Sequence, residues 1–451
     1  MRILLTYILS VLLQLTSITL VAQPVDINIE QLRSEIEQLK QDYDAKIKNL
    51  ENRLAAAEQQ VVNVSQSSQA VPVISEAPRS AQRSGNTGFN PAIGVIFEGF
   101  AWNFDNDAQG YEIPGFPLAG EAGPVSEGLS LGETEIDISA NVDDKFTAWL
   151  TAPIVLEDGE PIIEIEEAWI ETTALPGGTS LRFGRFFSEI GYLNSKHAHS
   201  WDFADQPLSY QVLLGNQYID DGLQFRWLPP TDLYMELGGE LLRGDRFPAG
   251  GASNTGVGGY SLFAKAGGDI GDSHSWLAGL SYLNTDSTDR PSGEEDDPLI
   301  FNGKTDLLIA SLVWKWSPYG NWQQRNLILQ TEYLYRSEEG NYTLPDERDL
   351  AYNTEQGGLY VQAVYQPFPR WRFGVRYDRL VTDALGPLFN DTPFATNGKD
   401  PERYSVMIDW SNSEFSRIRF QLTQDESVVG PDTQFGLQYI HSIGAHGGHS
   451  F

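Results

Sequence analysis

Cysteine is absent from this 451-residue chain, which excludes a disulfide framework, a cysteine-based zinc finger and a thiol nucleophile. Positive charge is scarce. Lys and Arg total 30 against 62 Asp and Glu, a formal charge of −32. So acidic a chain does not suit nucleic acid, whose phosphates attract cations; it suits cationic partners or cation-rich surroundings. Long apolar runs are missing too, with one exception at the start. In "MRILLTYILSVLLQLTSITLVAQP", Arg2 precedes an apolar stretch from Ile3 to Val21, and the small Ala22 stands before Gln23. That is the pattern of a secretory signal peptide over 1–22. No later segment approaches the roughly 18 apolar residues of a spanning helix. Catalytic motifs are also lacking. There is no H-E-x-x-H, and "GLSLG" around Ser130 precedes strand texture where a nucleophile elbow needs a helix. No enzyme is expected, and no cofactor is required.

What is present changes character along the chain. From 27 to 61, apolar residues at Ile29, Leu32, Ile36, Leu39, Tyr43, Ile47, Leu50, Leu54, Ala57 and Val61 fall at alternating steps of three and four. This is a coiled-coil seam, with a stutter at Tyr43. Residues 62–87 are rich in Ser, Gln and Pro without periodicity and read as a flexible linker. From 88 to 451 the chain breaks into short segments that alternate apolar with polar. Sixteen strands are predicted, at 92–103, 128–141, 145–155, 164–174, 179–185, 220–228, 232–243, 258–268, 274–285, 304–316, 325–336, 354–365, 371–380, 402–411, 415–424 and 434–451. Short connections alternate with long ones, the latter at 104–127, 186–219, 244–257, 286–303, 337–353 and 381–401. Tryptophans at 102, 149, 169, 227, 314, 316, 371 and 410 stand near strand ends. The fold class is therefore all-β: a 16-stranded antiparallel transmembrane β-barrel, preceded by a periplasmic helical coiled coil. An even strand number puts both ends on the periplasmic side, and the cell outer membrane is the expected location.

The barrel carries the charge. Nine acidic and eight basic residues precede position 88, which leaves 53 acidic and 22 basic residues after it, a net of −31. Ionised groups on strands cannot face lipid. Glu133, Glu135 and Asp137 share one face of "LGETEIDISA" and are expected to line a water-filled lumen. Glu164 and Glu166 follow the same logic, unless "EIEEAW" hides a bulge that flips the register. Rings of carboxylates favour cations. Pairing with Arg182, Arg185 and Arg226 is the competing arrangement.

Histidine is the other scarce residue, and it is clustered. Of six in the chain, His197 and His199 sit in "SKHAHSWDFADQP", and His441, His446 and His449 in "YIHSIGAHGGHSF". In an extended loop, His197 and His199 place two rings on one side, an arrangement suited to a divalent transition metal, with Asp202 or Asp205 completing a weak site. The terminal trio could form a periplasmic exit site if its glycines bend the strand. Zn2+, transported or weakly bound, is the ion considered.

These strands resemble those of a Gram-negative outer-membrane porin. "EEAWIETTALPGGTSLRFGRFFSEIGYLN" at 166–194 is similar to a strand–turn–strand of the phosphate-selective porin superfamily. The stretch from "HAHSWDFADQPLSY" onward and the ending "SIGAHGGHSF" look like plug-less barrels associated with zinc limitation and labelled as receptors. The resemblance implies contact with outer-membrane lipid and lipopolysaccharide, recognition of Phe451 by the barrel-assembly machinery, a homotrimer, and an inward-folded loop at 186–219 that sets the constriction. Where energised receptors carry a folded plug, this chain has only the heptad segment and linker. The function expected is passive, cation-preferring uptake, including zinc or another divalent metal. The alternatives are a general diffusion porin for small organic solutes or anions, and an envelope tether.

Overall fold

The computed structural model describes Lys48 and residues 91–106, 111–119, 122–157, 160–250, 256–293 and 298–444. The signal peptide, the linker and, Lys48 apart, the coiled coil lie outside these residues, as do His446, His449 and Phe451.

The described strands are β1 (Ala92–Phe104), β2 (Gly128–Leu131), β3 (Thr134–Asn141), β4 (Phe146–Glu157), β5 (Glu160–Ile163), β6 (Glu167–Thr172), β7 (Thr179–Phe187), β8 (Ile219–Trp227), β9 (Tyr234–Leu242), β10 (Gly259–Ile270), β11 (His274–Ser292), β12 (Leu299–Trp316), β13 (Asn326–Thr343), β14 (Asp349–Phe368), β15 (Trp371–Thr382), β16 (Glu402–Ser413), β17 (Ser416–Asp425) and β18 (Asp432–Gly444). Both β2 and β3 pair with β1, and both β5 and β6 pair with β4. Each of these two pairs is one interrupted stave, so eighteen strands make sixteen staves. All neighbours are antiparallel, and β1 pairs with β18 to close the barrel. Closure leaves no open edge, which lipid would not tolerate.

The alternation within each strand is the reverse of a soluble protein's. In β15, Phe373 and Val375 face outward and are exposed, while Arg372, Arg376 and Asp378 face inward. Leu280, Leu312, Val361, Val406 and Phe420 continue the outward apolar surface on neighbouring strands. An apolar exterior around a charged interior is the solution a bilayer imposes on a barrel.

Two expectations are corrected. The long loops at 286–303 and 337–353 are mostly strand, because β11 to β14 run for 18 to 20 residues, about twice what crossing the bilayer needs. Their outer ends are held by an aromatic cluster of Phe301, Tyr342, Tyr352, Phe389 and Phe394. Trp102 is not an interfacial residue: it is 3% exposed and packs inside with Phe104 and Ala204. Trp227 and Trp371 do stand exposed at the short-turn rim.

Candidate functional site

The segment between β7 and β8, residues 188–218, folds into the barrel. Its helix α1 (Leu208–Leu214) is buried at all seven residues and ends on Gly215 in the left-handed region, φ +63°. The helix packs on β13, β14 and β15. Gly358 of β14 makes room for it, since a Cβ there would stand 2.6 Å from that of Ser209. Around α1, loop residues Ile190, Leu193 and Tyr218 join inward wall residues Phe186, Leu242, Leu283, Leu307 and Leu334 in one apolar core. The inward loop is thus packed like a protein interior.

Buried carboxylates of the wall fix its backbone. Glu332 of β13 accepts from the N–H groups of Tyr192 and Leu193, at 2.7 and 3.1 Å, and from the hydroxyls of Tyr210 and Tyr360. Glu240 of β9 accepts from Ser188, Ser261, Gln224 and the Glu189 N–H. Asp378 of β15 accepts the Leu208 N–H at the start of α1.

His197 and His199 are brought together, with ring centroids 5.6 Å apart. Their partners come from β3 and β6. Glu135 is fully buried, and its Oε1 lies 3.0 Å from His199 Nδ1. The register between β4 and its partner explains the rest. Ile154 faces Ile163 and Thr151 faces Glu167, so the β5–β6 side carries one residue more than β4. This is the bulge anticipated in "EIEEAW". Glu166 and Glu167 consequently both reach His197, with Oε2 of Glu166 3.3 Å from Nδ1 and Oε2 of Glu167 3.0 Å from Nε2. Oε2 of Glu135 is 3.4 Å from the same Nδ1. Burial opposes charge on this ring, but the three carboxylates outweigh it and hold the metal-free imidazole well above its ordinary value.

Asp202 and Asp205 do not join the histidines, although both lie in the same loop. Asp202 pairs with Arg372 at 2.7 Å, and Asp205 with Arg376 and Arg403 at 3.0 and 3.2 Å. Burial alone would raise the Asp205 carboxyl; the two guanidiniums and Gln421 override it and hold it below its ordinary 3.8. Further arginines grip the loop backbone, Arg417 on the His199 carbonyl and Arg419 on that of Trp201 at 2.6 Å. The lumen therefore has two walls. Carboxylates dominate on β1, β3 and β6, and arginines on β15, β16 and β17, with residues 197–206 strung between them.

The other predicted residues fall apart from this cluster. Glu133 lines a cavity of about 320 Å³ beside β1. Asp137 is buried and accepts from Thr151 at 2.8 Å. Glu164 is exposed. Arg182 and Arg226 pair with Glu171, and Arg185 with Asp221, so they do not neutralise the carboxylates around His197. His441 lies on the outward parity of β18, its Nδ1 3.3 Å from the Tyr439 hydroxyl, so it is on the face opposite to the lumen that holds the loop histidines. Ser130 sits within β2, paired with Phe100, with no elbow. A second cavity of about 900 Å³ opens below the loop, among Lys196, Trp201, Trp322 and Arg417. Burial pushes the Lys196 amine down to about 8. Trp201 and Asp205 line both cavities.

No family model matches the chain. An uncharacterized protein of Aquifex aeolicus (strain VF5) is 34% identical over 352 residues, 73% of this chain and 72% of that protein. The chain belongs to that protein's family. Among solved structures, the outer membrane channel DcaP of Acinetobacter baumannii matches with a TM-score of 0.50 at 13% identity, over 81% of this chain and all of that one. An anion-selective porin from Comamonas acidovorans matches with a TM-score of 0.50 at 8% identity, over 79% of this chain and all of that one. At these identities the likeness is one of fold: the chain is a porin-like outer-membrane β-barrel.

Several residues of this barrel's site escape sequence reasoning. Glu98 of β1 is 3% exposed and accepts from Gln438. Glu167 and Glu332 read as generic strand acids until the bulge and the loop are placed. The arginine wall did leave a signal. Arg372 and Arg376, and Arg417 and Arg419, are spaced by even numbers and so share the inward face of one strand.

Proposed function

We propose that this barrel is a passive channel that prefers cations, small divalent metals such as zinc among them. One observation carries the reading. Glu98, Glu135, Glu166 and Glu167 line one wall of the lumen, and their close partners are histidines and uncharged side chains rather than Lys or Arg. Carboxylates in a low-dielectric passage, where ionised, raise the local concentration of cations and oppose anions. The arginines opposite are largely committed to Asp202, Asp205, Asp409 and loop carbonyls.

The arginine wall also favours a second reading, a general channel for small organic solutes in which opposed charges orient a dipolar molecule. Vesicles reconstituted with the full chain and placed in isotonic solutions of size-matched solutes separate the two. The cation channel predicts faster swelling in a monocation's solution than in a neutral or monoanionic solute's. Equal rates favour the general channel, and a faster anion contradicts the proposal.

A further inference from the structure

Three buried atoms at the centre of the histidine cluster lack any hydrogen-bond partner: Oε2 of Glu135, Oε2 of Glu166 and Nδ1 of His197. They are the same three that converge, all within 4.8 Å of one another. Orphaned polar atoms in a protein interior are costly, and three at one point call for a common partner.

The remaining contacts orient these atoms. Glu167 takes the His197 Nε2 at 3.0 Å, and Trp169 Nε1–H donates to the other oxygen of Glu167 at 3.0 Å. His199 Nδ1 holds Oε1 of Glu135 at 3.0 Å. With its proton on Nε2, the His197 ring presents a lone pair at Nδ1 to two carboxylate oxygens 3.4 and 3.3 Å away. That arrangement needs a positive centre between them, either an Nδ1 proton or a metal ion. Tetrahedral ligands at about 2.0–2.1 Å from an ion are themselves about 3.3–3.4 Å apart, the separation found here between Nδ1 and each of the two carboxylate oxygens. The carboxylate behind Nε2 is the usual outer partner of a metal-bound imidazole.

We infer that Glu135, Glu166 and His197 bind one first-row divalent transition ion, of the kind imidazole and carboxylate suit together, and that this ion staples the inward loop to the β3–β6 wall. The ion takes the place of an Nδ1 proton. This is a resident site with a structural role, and it stands whether or not the channel selects cations. A tethered loop narrows the lumen reproducibly, so the site also sets the size of the passage.

The test is a Co2+ titration of the chelator-treated full-length protein, read by visible d–d absorption. Wild type is expected to bind a single ion with an intense, tetrahedral-type spectrum. His197→Ala, Glu135→Gln and Glu166→Gln each abolish that spectrum, and the two glutamine variants keep the side-chain shape so that folding is preserved. Glu167→Gln weakens binding by about 10–100-fold, whereas His441→Ala leaves it unchanged. Retention of the full spectrum in both Glu135→Gln and Glu166→Gln would overturn the site. So would its loss in His441→Ala, which would assign the ion to the chain terminus. Anion selectivity in vesicles would remove the proposed channel preference and leave this result untouched.

Discussion

Glu332 of the barrel wall and Tyr210 of the inward loop share a buried hydrogen bond of 3.0 Å, and the same carboxylate takes the N–H groups of Tyr192 and Leu193. Wall and loop are thereby one packed body. In Glu332→Gln an amide NH2 replaces one acceptor and faces donors. At least one buried donor loses its partner, at a cost of about 1–3 kcal/mol. The expected outcome is a barrel that still folds but unfolds at lower urea, with larger and noisier single-channel steps. Unchanged urea midpoints and conductance would show that the loop does not depend on this anchor.

Gly358 tests the loop by shape instead of charge. A Cβ at this position meets Ser209 at 2.6 Å, and the obstacle includes the Ser209 backbone, so a rotamer change cannot relieve it. Gly358→Val displaces α1 while leaving the β13–β14 and β14–β15 ladders free to form, since valine suits a strand. Conductance in a planar bilayer should rise. A wild-type conductance would mean that α1 does not limit the passage.

Asp205 sets the acid limit of loop docking. Its folded carboxyl lies below the ordinary 3.8 because Arg376 and Arg403 outweigh burial; Asp378, beside the same arginines, is the other acid facing it. A depressed folded value stabilises the docked loop above the unfolded value and loses that contribution as pH falls through the folded one. Conductance is therefore expected to hold steady from neutral pH down to about pH 4 and to rise below it. Asp205→Asn should show the raised conductance already at neutral pH. A rise between pH 7 and 5 in wild type, absent from Asp205→Asn, would contradict this assignment.

The barrel was largely legible in the sequence because its rule is local: in β15 or β17 every second residue meets lipid. The sixteen predicted segments correspond to the sixteen staves, and the bulge in "EIEEAW" was visible as a clash between pattern and charge. The extensions of β11 to β14 were not visible. Beyond the bilayer the outward face meets water, so Asn302, Lys304, Glu339 and Asn353 read as loop. The partners of His197 were harder still. Asp202 and Asp205 are its neighbours in sequence, but an extended loop spanning the lumen carries them to the arginine wall, while Glu135 and Glu167 arrive from strands that only closure of the barrel brings near. The inward loop itself was expected through resemblance, not from its own residues.

The carboxylate wall is the centre of this account, and reversal potential under a salt gradient tests it most directly. The full-length protein in a planar bilayer should be cation-selective, and Glu98→Gln combined with Glu167→Gln should shift the potential toward zero. Neither position is one of the three proposed metal ligands, and recording after chelator treatment keeps the weaker ion binding of Glu167→Gln out of the comparison. Anion selectivity in the wild type, or a potential unmoved by the double substitution, would contradict the assignment of this wall to cation preference.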